Sequence, residues 1–187
     1  MVDQGSLFEA APAAAGELYF AILPTADAAA RIAQAGEQLR SEHGLAGRLR
    51  TGNFHISVAG VGAVASVPPS QLQAVLDAAG SVELPAFPVI LDRALTFAGS
   101  LPLVLQASRG LDAVPALGRA LQLAVAKVLK LRLELSSTPH LTVLYSNKAL
   151  AARAIEPVRW TVTEFVLVRN HPGESRLDIR GRFPLRG

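Results

Sequence analysis

Two of the four histidines stand in matched settings: FHISV at residues 54–58 and PHLTV at 139–143 each place a hydroxyl two positions after the imidazole. Extended backbone sends side chains i and i+2 out on the same face. His55 therefore points with Ser57 and His140 with Thr142, while Phe54, Ile56, Val58, Leu141 and Val143 turn to the opposite, apolar side. Ser and Thr make up 19 of 187 residues, so two such pairs among four histidines arise by chance roughly one time in twenty. One His-x-Ser alone reads as a core histidine; two matched copies read as a site. Facing each other, two imidazoles and two hydroxyls suit phosphoester cleavage. One neutral imidazole takes a proton from water or a sugar hydroxyl, the other, as imidazolium, protonates the departing oxygen, and the hydroxyls hold the phosphate.

The elements that must position these groups are legible from periodicity. ELYFAILP (17–24) is an apolar run stopped by Pro24, a buried strand, and Thr25 caps a helix from Asp27 to about Glu42 that Gly44 ends. NFHISVAGVG is the next strand, followed by a short helix over 68–80 with proline at its start and Gly80 at its end. Residues 87–97 and 101–107 flank Ala98, Gly99 and Ser100 at hairpin spacing and should pair antiparallel. The stretch 111–130 is an amphipathic helix with Asp112 at its start. After PHLTVLY come a polar, alanine-rich connection and two strand-like runs, 158–170 and 175–185, around the turn His171-Pro172-Gly173. About seven strands and three helices predict an α+β fold with helices outside. The duplicated motif predicts two related lobes meeting at a central cleft.

Composition narrows the chemistry. There is no cysteine, which removes disulfides, thiolate nucleophiles and cysteine metal sites, and no acidic residue shares the histidines' spacing, which disfavours a metal site. No cofactor is expected. The longest apolar region, Leu117 to Leu135, is broken by Arg119, Lys127, Lys130 and Arg132, so no bilayer crossing is expected. Residues 1–16, rich in Ala and Pro without a basic start, predict a disordered tail rather than a secretory signal, and residues 17–187 one cytoplasmic domain. The net charge is +3, and only Lys127, Lys130 and Lys148 are lysines, so the cations are mainly guanidinium groups, which suit phosphate.

The motifs resemble the two H-x-[ST]-x signatures of the two-histidine (2H) phosphoesterase superfamily, in particular its 2′-5′ RNA ligase-like or RNA 2′,3′-cyclic phosphodiesterase branch. LYFAILP, GNFHISVAGVG, FPVILDRALTFAG, PHLTVLY and the closing VRWTVTEFVLV…GRFPL follow in the family's order, so the resemblance covers roughly 17–185. It implies a bilobal, pseudo-twofold α+β fold whose antiparallel sheets face a central cleft, with metal-independent opening of 2′,3′-cyclic phosphates to 2′-phosphates and, in some members, reversible 2′-5′ RNA ligation. Carried over, His55 is the general acid, His140 the general base, and Ser57 and Thr142 the phosphate holders. RNA ends or cyclic nucleotides are the implied substrates, with no obligate protein partner. An RNA-binding module on the same scaffold with little turnover is the alternative. Two departures stand out. Many relatives carry Leu-x-Arg after the second motif, where HLTVLYS has Tyr145, which strand alternation turns away from His140 into the core; and HISVAGVG replaces a bulkier pattern, which predicts a wider cleft wall near Ala59 and Gly60. Arg48 and Arg50, just before the first motif, are candidate RNA contacts. His43 suits a helix C-terminus, Trp160 suits the core, and His171 is assigned no chemistry.

Overall fold

In the computed structural model, which describes residues 16–171 and 176–187, local signals set the first elements. Strand β1 (Glu17–Ile22) leads to Thr25, whose hydroxyl accepts from the Ala28 amide and caps helix α1 (Ala26–His43); Gly44, at φ 57°, closes the helix in the left-handed conformation. After a 3-10 turn at Thr51–Asn53 come β2 (Ile56–Ala63) and α2 (Pro69–Gly80). The expected hairpin is β3 (Phe87–Thr96) and β4 (Pro102–Gln106), and the amphipathic helix is α3 (Ala113–Val128). Asp112 occupies the N-cap position of α3 without a side-chain capping bond. Then follow β5 (Glu134–Leu135), β6 (Leu141–Tyr145), β7 (Arg153–Val162), β8 (Glu164–Asn170) and β9 (Leu177–Pro184).

The nine strands form one antiparallel sheet in the order β7-β3-β4-β6-β2-β1-β8-β9, with β5 joining β2. The order is its own mirror. Exchanging β2 with β6, β1 with β4, β8 with β3 and β9 with β7 maps the path onto itself, so β1-α1-β2 corresponds to β4-α3-β6. The two lobes meet where Ile56 pairs with Leu141, the central residues of the two motifs. Helices α1 and α3 each cross to the other lobe, α1 packing on β6 and β7 and α3 on β2 and β5, whereas α2 lies against α3 and β9. Phe20, Ile32, Ile56, Leu91, Leu117, Leu121, Leu141 and Phe165 are among the fully buried side chains beneath them.

Three departures from the sequence-based expectations have physical causes. The run 158–170 is two strands, not one: β7 pairs with β3 in one lobe, β8 with β1 in the other, and the chain changes lobe at Thr163. Both halves are apolar enough for a core strand, so periodicity alone does not show the break. Second, the alternation of both motif strands is broken by an extra residue immediately after the hydroxyl. The register of β6 on β4 slips between Thr142 and Leu144, and that of β2 on β1 between Ser57 and Ala59. Val143 and Val58 are thus bulge residues: the residues of β6 beyond Val143 change face, and so do Ala59 and Gly60 in β2, before a second slip at Val61. Ala59 goes into the core rather than onto the cleft wall, and Tyr145, expected in the core, comes out half-exposed on the cleft side. Third, Gly16 is buried, its carbonyl accepting from the Val64 amide; the rest of the expected tail, and Pro172 and Gly173 of the expected turn, lie outside the described residues.

A glycine lets each helix approach the opposite bulge. A Cβ on Gly36 of α1 would stand 2.4 Å from Val143 Cγ1, and one on Gly118 of α3 would stand 3.4 Å from both the Val58 carbonyl oxygen and Leu135 Cδ2. The equivalent glycines therefore differ in how tightly they are held. Among the described residues no helix is long and apolar enough to cross a membrane.

Candidate active site

His55 and His140 each sit immediately before their strand, and each is held by the same local bond. His55 Nδ1 lies 2.9 Å from the Asn53 carbonyl oxygen and His140 Nδ1 lies 2.8 Å from that of Thr138. A carbonyl only accepts, so Nδ1 carries the hydrogen in both rings and Nε2 is left to take or give a proton. Counting outward from the Ile56–Leu141 pair in the antiparallel sense sets His55 abreast of Thr142 and His140 abreast of Ser57. Each imidazole thus faces the hydroxyl of the other motif. Both hydroxyls line the same cleft, of about 1130 Å³, and neither is bonded to another described residue.

The two histidines differ in their surroundings. Tyr19 of β1 lies against His55, ring centroids 5.3 Å apart and tilted 40°, whereas Phe97, in the β3–β4 turn, meets His140 edge-on at 4.9 Å. Burial lowers the His55 pKa from its ordinary value; the bond to Asn53 opposes this, and the positive charges of Arg50 and His140 lower it further. Burial also pushes the Tyr19 hydroxyl up to about 12, so it remains a proton donor throughout the working range.

Arg48 and Arg50 both line the cleft, but unequally. Arg48 is exposed and also borders a smaller groove with Glu37 and Arg40, while Arg50 is half-buried and turned inward. The Arg50 Nη1–H donates to the Tyr145 hydroxyl at 3.1 Å, with the guanidinium carbon 5.3 Å from the Tyr145 ring centroid. Strand alternation missed Tyr145 because of the Val143 bulge. Tyr19, Asn53 and Glu134 also line the cleft and were not singled out from the sequence; Gly60, which was expected there, lines it too. Tyr19 was within reach, since it lies in the first strand run; Glu134 was not, because β5 is only two residues long. Gly60 lies opposite Glu134, so the wall expected to be wide there is backed by a carboxylate.

The remaining histidines lie outside the paired constellation. His43 ends α1 beside Arg153 and Glu42. His171 does reach the cleft edge, where it bonds Asp178 Oδ2 at 2.6 Å and holds that carboxyl below the usual range. Trp160 is in the core. Among the described residues no three His, Asp or Glu side chains converge as a metal site.

A curled antiparallel sheet with a pseudo-twofold axis and one His-x-Ser/Thr on each central strand defines a two-histidine phosphoesterase architecture. The sequence profile of the 2′-5′ RNA ligase superfamily matches residues 26–174, and the chain belongs to that family. No curated protein matches the chain significantly. Among solved structures, E. coli LigT in its apo form superposes with a TM-score of 0.71 at 24% identity, over 92% of this chain and 98% of that one. LigT complexed with 3′-AMP gives 0.70 at 24% identity, over 92% and 99%. TT0787 of Thermus thermophilus gives 0.70 at 18% identity, over 91% and 98%. These likenesses establish the fold.

Proposed function

We propose that the chain is a cytoplasmic, metal-independent phosphodiesterase that opens 2′,3′-cyclic phosphates at RNA ends, or on nucleotides, to 2′-phosphates, with reversible 2′-5′ RNA ligation where a 5′ hydroxyl takes the place of water. The observation that carries this reading is the matched pair of imidazoles, each anchored through Nδ1 and each with Nε2 and an unengaged hydroxyl free in one cleft. A cleft of about 1130 Å³ exceeds what a mononucleotide fills and has room for an RNA end. LigT has been solved with 3′-AMP and with ATP, which supports a nucleotide ligand here.

In this reading water attacks phosphorus in line with the 3′ oxygen. His140 Nε2 removes the water proton, a P–O bond forms, the P–O3′ bond breaks, and His55 Nε2 protonates the 3′ oxygen. Ser57 and Thr142 donate to the non-bridging oxygens, and Arg48 on the rim meets RNA phosphate beyond the scissile group. The acid and base labels come from the family resemblance. Burial makes the His55 imidazolium a stronger acid while reducing its population near neutral pH; the anionic substrate counters that loss.

The test is product analysis on an oligoribonucleotide ending in a 2′,3′-cyclic phosphate, in EDTA, across pH, with wild type, His55→Ala and His140→Ala. A 2′-phosphate product, a bell-shaped pH profile and loss of turnover in both variants are expected. Binding without turnover in all three proteins would replace the enzyme by an RNA-binding module.

A further inference from the structure

Resting on the phosphodiesterase reading, we infer that Arg50, fixed by Tyr145, is the catalytic cation that binds the scissile phosphate in this chain. The connection that carries Arg50 is tied by one backbone bond to β6 and by another to the turn that precedes β2. Its amide donates to the Val143 carbonyl at 2.9 Å, next to Thr142, and its carbonyl accepts at 2.8 Å from the Asn53 amide, while the Asn53 carbonyl anchors His55. The side chain is then held from β6: one guanidinium N–H donates to the Tyr145 hydroxyl, and the Tyr145 ring lies within cation–π range. Gly47, at φ 107°, permits this close approach, since a Cβ there would fall 2.1 Å from the Tyr145 carbonyl oxygen.

The guanidinium is held for a ligand rather than neutralised. Tyr145 takes one of five N–H groups, and none of the ion pairs among the described residues includes Arg50. Its charge reaches the reacting groups, opposing protonation of His55 and favouring ionisation of Tyr19. Phosphodiester cleavage develops charge on the non-bridging oxygens, and Ser57 and Thr142 supply only neutral donors. A preorganised guanidinium provides the missing countercharge and can bind two oxygens at once. Tyr145 is a positioning residue: it orients Arg50, and the Val143 bulge is what turns Tyr145 toward it.

The experiment measures kcat and KM on the cyclic-phosphate oligoribonucleotide, and inorganic phosphate affinity by calorimetry, for Arg50→Ala, Arg50→Lys, Tyr145→Phe and the double variant Arg50→Ala/Tyr145→Arg. Arg50→Ala is expected to lower kcat about 10²-fold and weaken phosphate binding at least about tenfold, with Arg50→Lys recovering part of both. The double variant, which returns a guanidinium to the cleft from β6, is expected to regain at least about tenfold in kcat over Arg50→Ala. Tyr145→Phe keeps the ring, loses one hydrogen bond and lowers kcat by a few fold. Lys127→Ala, which removes a charge from α3 away from the cleft, leaves all values unchanged. A folded Arg50→Ala with kcat within about threefold of wild type overturns the inference and leaves the phosphodiesterase reading standing. Wild type without turnover, yet with phosphate binding that depends on Arg50, overturns that reading and supports the phosphate site. Should Arg50→Ala not fold, Arg50→Lys and the double variant decide by the same criteria.

Discussion

Gly36 and Gly118 occupy equivalent places in the two lobes, yet alanine is expected to act on them with opposite sign. In a helix interior Ala is favoured over Gly by roughly 0.5–1 kcal/mol, a gain common to both substitutions. At Gly118 the new methyl would stand 3.4 Å from Leu135 Cδ2 and from the Val58 carbonyl oxygen, close to ordinary contact, so most of that gain survives. At Gly36 it would stand 2.4 Å from Val143 Cγ1. Val143 is fully buried and β-branched, and it is the bulge residue whose carbonyl holds Arg50, so it has little freedom to yield. Overpacking costs about 1–3 kcal/mol, and an overlap this close on a buried side chain falls in the upper part of that range, about 2–3 kcal/mol, leaving Gly36→Ala destabilised by about 1–2 kcal/mol net of the propensity gain. In a chain of this size that lowers Tm by roughly 2–8 °C, against no loss or a rise of a degree or two for Gly118→Ala. Thermal and urea unfolding of the single variants, and of Gly36→Ala/Val143→Ala to relieve the contact, provide the assay. Equal effects at the two glycines, or no recovery in the double variant, would refute the argument that α1 is clamped onto the bulge.

Four further outcomes are expected. The His55 imidazole titrates by NMR below the ordinary 6.5 and moves up in Arg50→Ala, because a like charge is removed; a wild-type midpoint at or above 6.5 contradicts the burial argument. Since the folded state binds that proton less readily than the unfolded chain, His55 favours folding above the ordinary histidine range. That contribution falls as pH drops through the lowered pKa, which urea midpoints at pH 7.5 and 5.5, compared in wild type and His55→Ala, will show. Ser57→Ala and Thr142→Val each lower kcat by about 10²-fold with a smaller change in KM, as expected of donors that act on developing charge; an effect confined to KM would make them binding groups only. A p-nitrophenyl phosphodiester, whose leaving group needs no proton, restores turnover to the variant lacking the general acid and not to the one lacking the base. Restoration in His140→Ala instead of His55→Ala would reverse the two roles.

Local chemistry is what the sequence determined. The i, i+2 relation of His55 to Ser57 and of His140 to Thr142 is a property of extended backbone. The Thr25 cap, the Gly44 terminus and the β3–β4 hairpin follow from residues a few positions apart. The duplication of the motif also carried the lobed, pseudo-twofold plan, because two strands of like pattern fill like places. Only the tertiary structure decided what depends on a distant partner's register. Val58 and Val143 are bulges because of how β1 and β4 pair with their strands, and no pattern of apolar and polar residues within 141–145 records that slip. One inserted residue reverses every later side chain, which is why Tyr145, placed in the core by alternation, faces Arg50, 95 residues away in sequence. The break at Thr163 has the same origin: β7 and β8 are each good strands, and only their different neighbours, β3 and β1, separate them. Side-chain period is written in the chain itself, whereas register is set between strands, and the second brought Tyr145 and Arg50 together in the lining of the cleft that holds the two histidine motifs.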